Sequence, residues 1–132
     1  MNNPQPTTVL DASALLALLQ DEPGADIVAS HLPGCVMSAV NLSEVVAKLA
    51  ERGVPPAELR AALDGLDIDV RPFDVEAAYE AGELRRSTRD AGLSFGDRAC
   101  LAVAVRLGVP ALTADRAWAR VAGSTLRVAL IR

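Results

Sequence analysis

The stretch SFGDRACLAVAVRLGVPALTAD, residues 94–115, holds a helix, a stop, a strand and an acid in that order. Ser94 can cap a helix with Asp97 in its first turn, and the run to Leu107 is nearly all apolar thereafter. Such a helix is central and buried. Gly108 ends it, Pro110 to Thr113 makes a strand, and Asp115 begins a short helix reaching Val121.

The same grammar runs upstream. Thr7–Leu10 is a short β-branched and apolar run that ends at Asp11, and Ser13–Gln20 then turns helical. Gly24–Leu32 reads as a second helix, stopped by Pro33-Gly34. Cys35–Val40 is a strand and Asn41–Arg52 a helix, with Leu42, Val45, Val46 and Leu49 on its apolar side. Pro55-Pro56 opens a helix from Ala57 to Leu66. Asp67–Phe73 suits a strand near a sheet edge, and Asp74 caps a long helix running to about Ala91. Leu126–Ile131 closes the chain as a strand. Strands and helices alternating through short loops predict an α/β fold on a parallel sheet. Residues 1–6 read as a loose terminus and residues 7–132 as one domain.

Composition narrows the function. Hydrophobic residues are 51% of the 132, so the chain is globular, and aromatics are only 3%, so the core is Ala, Val, Leu and Ile. The apolar run Ala12–Leu19 is too short to cross a bilayer, and no basic segment of a secretory signal precedes it. Cys35 and Cys100 lack metal-ligand spacing and read as buried thiols of a reduced, cytoplasmic protein. A net charge of −4 disfavours indiscriminate binding to nucleic acid. It leaves room for an enzyme that engages phosphodiesters through a metal.

Four acids, Asp11, Glu44, Asp97 and Asp115, stand where apolar runs give way to helices. Each has an ordinary explanation. Asp11 and Asp115 can be N-caps, Asp97 can complete a capping box from Ser94, and Glu44 can pair with Lys48 one turn on. Jointly they say more. In an open parallel sheet the ligand crevice lies outside the carboxyl ends of the strands. Asp11, the Val40–Glu44 segment and Asp115 follow strands immediately. By the simplest connectivity the start of the Asp97 helix falls at the opposite edge, and spacing does not bring it into the crevice. Ser13, Asn41 and Thr113 stand close enough in sequence to hold a carboxylate or a water beside one. Oxygen donors without a His or Cys cluster point to Mg²⁺ or Mn²⁺ rather than zinc. Without metal, repulsion among the acids should raise the pKa of one or more of them.

The segments VLDASALLALL (9–19), SAVNLSEVVAKL (38–49), residues 93–115 followed by RAW, and LRVALI (126–131) together resemble the PIN-domain nucleases. They resemble most the short VapC-type toxins of toxin–antitoxin pairs, from Thr8 to Ile131. The resemblance implies a three-layer α/β/α fold on a mainly parallel five-stranded sheet. It places Asp11, Glu44, Asp97 and Asp115 together as the catalytic and metal-binding acids, Asp97 included. It implies an endoribonuclease that cuts RNA with a Mg²⁺- or Mn²⁺-activated water, assembled as a homodimer and blocked by a small VapB-type antitoxin.

Substrate grip is less legible. Arg85 and Arg89 share a face of the expected long helix, and Arg116 and Arg120 are one turn apart; solvated faces balanced by acids such as Glu83 and Asp90 explain both pairs better than phosphate contact does. Arg98, directly after Asp97, reads either as a substrate-binding group in the crevice or as half of an ion pair. Sparse aromatics argue against base stacking, Trp118 reads as a core anchor, and His31 as a helix-end residue. Two rival functions share this pattern: a non-catalytic PIN-like interaction module, and a metal-dependent nuclease for another nucleic acid. A phospho-acceptor receiver domain is disfavoured, because the single lysine, Lys48, stands in the wrong place.

Overall fold

A computed structural model describes residues 5–123 and 125–132. Five short strands form one sheet in the order β3-β2-β1-β4-β5, every pairing parallel. They are β1 (Thr8–Leu10), β2 (Cys35–Ser38), β3 (Asp69–Arg71), β4 (Ala111–Thr113) and β5 (Val128–Leu130). Helices α1 (Ala12–Leu19) and α2 (Ala25–Ser30) link β1 to β2; α3 (Ala39–Glu51) and α4 (Pro56–Asp64) link β2 to β3. Between β3 and β4 come α5 (Val75–Glu83), α6 (Arg85–Thr88), a 3₁₀ turn at Arg89–Ala91, and α7 (Phe95–Leu107). Another 3₁₀ turn, Arg116–Arg120, joins β4 to β5.

Alternation along the strands builds two cores, one on each face. Leu10, Met37 and Leu112 turn to one face, where they meet Ala14, Leu15, Val28 and Val45 of the first three helices. Val9, Val36 and Ala111 turn to the other, against Cys100, Leu101 and Ala104 of α7 and the fully buried Trp118. Helices on both faces of the sheet make the three layers expected. Both cysteines are buried thiols, and His31 stands at the C-terminal end of α2 with Nδ1 2.8 Å from the Ile27 carbonyl. Among the described residues no helix is long and apolar enough to cross a membrane.

Several boundaries move for local reasons. The long helix expected from Asp74 to Ala91 is broken after Glu83. Beyond the break the Leu84 carbonyl accepts the Thr88 N–H at 3.0 Å and the Ser87 and Thr88 hydroxyls at 3.3 and 2.7 Å, closing a separate short turn. Arg85 and Arg89 therefore lie in different short turns. Strand β2 stops at Ser38 rather than Val40, because the Ser38 hydroxyl caps α3 by accepting from the Val40 N–H at 3.2 Å. The helix after Asp115 is a 3₁₀ turn. Of the terminus read as loose, residues 1–4 lie outside the described residues, and Gln5 and Pro6 belong to no helix or strand.

The largest correction concerns Asp97. A helix that returns the chain to the start of a parallel strand must run against the strands, so its first turn lies at their carboxyl ends. Helix α7 leads directly into β4 and obeys this: Asn41 Nδ2, beyond the end of β2, donates to the Gly96 carbonyl at 3.0 Å. The simplest connectivity put the start of this helix at the opposite edge. Divided into α5, α6 and a 3₁₀ turn, the segment after β3 instead delivers the chain to the carboxyl edge before α7 begins.

Candidate metal centre

The sheet order reverses between β1 and β4, since β2 and β3 lie on one side of β1 while β4 and β5 lie on the other. A crevice opens outside the carboxyl ends at such a point. Here it is a cleft of about 490 Å³, lined by Asp11, Asn41, Glu44, Asp97 and Asp115 together with Ser13, Leu16, Lys48 and Glu51. A slightly larger hollow, about 560 Å³, lies at the amino ends of the strands around Gly34, Cys35 and Asp69. It gathers no comparable set of acids, so the chemistry belongs to the first.

Each acid is held by its own local structure. Asp11 caps α1, accepting from the Ala14 N–H at 2.8 Å. The Ser13 hydroxyl lies 2.8 and 2.9 Å from its two oxygens, and the Thr113 hydroxyl donates to Oδ2 at 2.5 Å. Those hydroxyls are themselves fixed, Ser13 Oγ by the Ala114 N–H at 2.9 Å and Thr113 Oγ1 by the Asp115 N–H at 3.0 Å. Asp115 accepts from the Ala117 N–H at 3.0 Å and caps its turn. Asp97 completes a capping box, accepting from the Ser94 N–H at 2.9 Å while Ser94 Oγ accepts from the Asp97 N–H at 3.2 Å. Asn41 Nδ2 donates to Glu44 Oε1 at 2.9 Å. The capping explanations are thus realised, and they aim the carboxyl groups into one cleft.

The expected Glu44–Lys48 pair is different. Among the described residues neither side chain takes part in an ion pair. Glu44 turns instead toward Asn41 and packs against Gly96, where a Cβ would fall 2.4 to 2.7 Å from the carboxylate. Arg98 points the other way, its Nη1 donating to the Ala81 carbonyl of α5 at 3.2 Å. Sequence reading passed over Gly96 and Lys48 as parts of this site. The signals were present: a glycine in the first turn of a helix, and a lysine four residues after Glu44 on the same helical face.

Electrostatics single out Asp11. It is 5% exposed, and its pKa is raised from 3.8 to about 6. Burial is the main cause, three hydrogen bonds oppose it, and the charge of Asp97 adds the smallest share. Desolvation, rather than the expected repulsion, does most of the raising. Burial also pushes the Cys100 thiol up, reinforced by the negative charges of Asp11, Asp97 and Glu44 around it.

As the side chains stand, no three acids, histidines or cysteines among the described residues are close enough together to hold an ion. The donor set nonetheless fits a hard divalent cation. It is all oxygen, it contains a buried carboxylate, and the buried Asn41 Oδ1 beside it has no hydrogen-bond partner. Asn41 Nδ2 faces two acceptors, so this orientation of the amide is the one its neighbours require.

Comparison with known proteins agrees with this architecture. The PIN domain family matches residues 8–124. The chain belongs to that family. PIN domains are nucleases, so membership brings hydrolysis of nucleic acid with it. No curated protein matches the sequence. Among solved structures, the DNA-bound VapBC complex of Salmonella typhimurium superposes with a TM-score of 0.74 at 18% identity, covering 97% of this PIN chain and 100% of its own. A toxin–antitoxin complex from Klebsiella pneumoniae gives 0.74 at 16%, covering 96% and 98%. VapBC-5 of Mycobacterium tuberculosis gives 0.58 at 24%, covering 96% and 99%. At these identities the likeness is one of fold.

Proposed function

We propose that this PIN domain is a Mg²⁺- or Mn²⁺-dependent endoribonuclease, the toxin of a toxin–antitoxin pair. It acts as a homodimer whose cleft a VapB-type antitoxin blocks. The observation that carries the reading is the meeting of Asp11, Glu44, Asp97 and Asp115 in one cleft at the reversal point of the sheet. Support for the toxin assignment comes from similar folds that are toxin–antitoxin complexes.

Asp11 and Asp97 would hold the cation directly, with Glu44, and Asp115 would act through water. A bound divalent ion lowers the pKa of water and draws off the charge that builds on the phosphate. The protein's share is positioning. Ser13 and Thr113 fix both oxygens of Asp11, Asn41 fixes Glu44, and the Ser94 box fixes Asp97. Those bonds orient the carboxyl groups toward the cleft before any ion arrives, and binding would draw them closer together.

The test is to map RNA 5′ ends in total RNA after induction of the wild-type chain and of Asp97→Asn. New ends dependent on Asp97, with growth arrest by the wild type and relief by a co-expressed antitoxin, are expected. Identical end profiles for the two would refute the ribonuclease.

A further inference from the structure

We propose that Lys48 is a substrate-binding residue: its ammonium holds a backbone phosphate of a single-stranded RNA next to the cleaved bond. The inference rests on the ribonuclease reading and adds a site residue to it.

Lys48 is the only lysine in the chain and, among the described residues, the only cation lining the acidic cleft. It is exposed on α3, four residues after Glu44 and three before Glu51. Both neighbours stand at spacings where helical ion pairs form. Even so, the ion pairs among the described residues are Arg71–Asp69, Arg86–Glu83, Arg106–Glu80 and Arg132–Glu22, and Lys48 is in none. Glu44 has turned to Asn41, as its 2.9 Å hydrogen bond shows. A cation at the rim of the acids is thereby left to solvent.

Location gives that cation a task. Lys48 stands one turn along α3 from Glu44, about 6 Å along the axis, the scale of one nucleotide of extended strand. The wall continues through Ala47 and Glu51, with Ser13 and Leu16 of α1 facing it. A strand entering this cleft meets carboxylates and a chain of net charge −4, both of which repel it. Metal offsets the repulsion at the acids themselves. One phosphate further on, Lys48 is the group that offsets it, and a compact ammonium serves a lone phosphate well. Arg98, the other candidate, is engaged with Ala81.

The test compares wild type, Lys48→Gln and Lys48→Arg. Binding of a fluorescent single-stranded RNA is followed by anisotropy with Ca²⁺ present across a KCl series. KM and kcat are then measured with Mn²⁺, and Mn²⁺ affinity is measured by calorimetry without RNA. For Lys48→Gln the expected result is about a tenfold weaker Kd and higher KM, with kcat within about twofold. The salt slope should fall by about 0.7, the loss of one phosphate contact on a single strand. Lys48→Arg should recover most of both. Unchanged RNA binding and salt slope in Lys48→Gln would overturn the proposal. So would tighter Mn²⁺ binding with unaltered RNA affinity, which would make Lys48 only a counter-ion for the acids. The anisotropy arm reads Lys48 whether or not the wild type cuts RNA, so failure of the ribonuclease reading shows separately, as absent cleavage.

Discussion

The Thr113 hydroxyl at the end of β4 donates to Asp11 Oδ2 at 2.5 Å and accepts from the Asp115 N–H at 3.0 Å, so one side chain ties the first and fourth acids together. The first contact crosses the reversal point of the sheet, the second is local to the end of β4, and both need an oxygen. Thr113→Val keeps the β-branched shape and removes them. Because hydrogen bonding to the ionised form lowers the pKa of Asp11, its loss should carry that pKa above about 6. The expected outcome is a loss of about 1–2 kcal/mol in stability. The acid limb of the cleavage pH profile should also move upward. A profile identical to wild type would separate Thr113 from the chemistry.

Burial of Asp11 sets a second expectation, for protein without metal. Its folded pKa of about 6 exceeds the ordinary 3.8, so the folded state takes up the proton more readily than the unfolded one. The stability this contributes is fully present below pH 3.8 and is lost as pH rises through about 6. Above that, the ionised carboxylate costs up to about 3 kcal/mol. Asp11→Asn retains an acceptor for the Ala14 N–H and sheds the charge. Denaturation in EDTA at pH 7.5 should find the variant about 1–2 kcal/mol more stable than wild type. If Asp11 served only as a helix cap, substitution would bring no gain.

How much of this was readable in the sequence differs between residues. The alternation of Val9 with Leu10 and of Val36 with Met37 is written in the sequence, so the sheet and its two cores were legible. The caps at Asp11, Asp97 and Asp115 were legible too, because capping is local. Asp97 was misplaced by topology, since its position depends on how many helices separate β3 from β4. The Glu44–Lys48 pair was misjudged because helical spacing says which groups can meet. It does not weigh a competing partner such as Asn41, buried and 55 residues from Gly96, whose carbonyl anchors it. The end of the helix at Glu83 was hidden because no proline or left-handed glycine marks it.

Metal binding should release a proton. A cation can be ligated only by the ionised form of Asp11, which is half protonated near pH 6. Mn²⁺ affinity, measured by calorimetry, should therefore fall as pH drops through 6, and between pH 5.5 and 6 about half a proton or more should leave per ion bound. Asp11→Asn should abolish the proton release together with the binding. Affinity independent of pH across that range would place the ion away from Asp11.

Asp97 has two duties, and substitutions separate them. Ser94→Ala breaks the capping box but leaves the charge, and should cost about 1 kcal/mol with partial loss of cutting. Asp97→Asn keeps an oxygen for the Ser94 N–H and removes the charge, so the fold should hold while cleavage disappears. Thermal melts beside single-turnover cleavage distinguish them. If both variants lost stability and activity in proportion, Asp97 would be a cap alone.

Glu44 is confined by an absence. Gly96 lacks the Cβ that would lie 2.4 to 2.7 Å from the Glu44 carboxylate, so that the helix start and the acid can approach closely. Its φ is not in the left-handed region, so Gly96→Ala adds no backbone strain and gains helix propensity of up to about 1 kcal/mol. What must yield is the far end of Glu44, a flexible side chain held by the single bond from Asn41 Nδ2. The variant should melt within a few degrees of wild type while its Mn²⁺ affinity falls several-fold, because the displaced carboxylate no longer faces Asp11 and Asp97. Glu44→Gln in the same background should then add little further loss, since the two changes strike one ligand. Full additivity of the two losses would mean that Gly96 and Glu44 serve the metal centre independently.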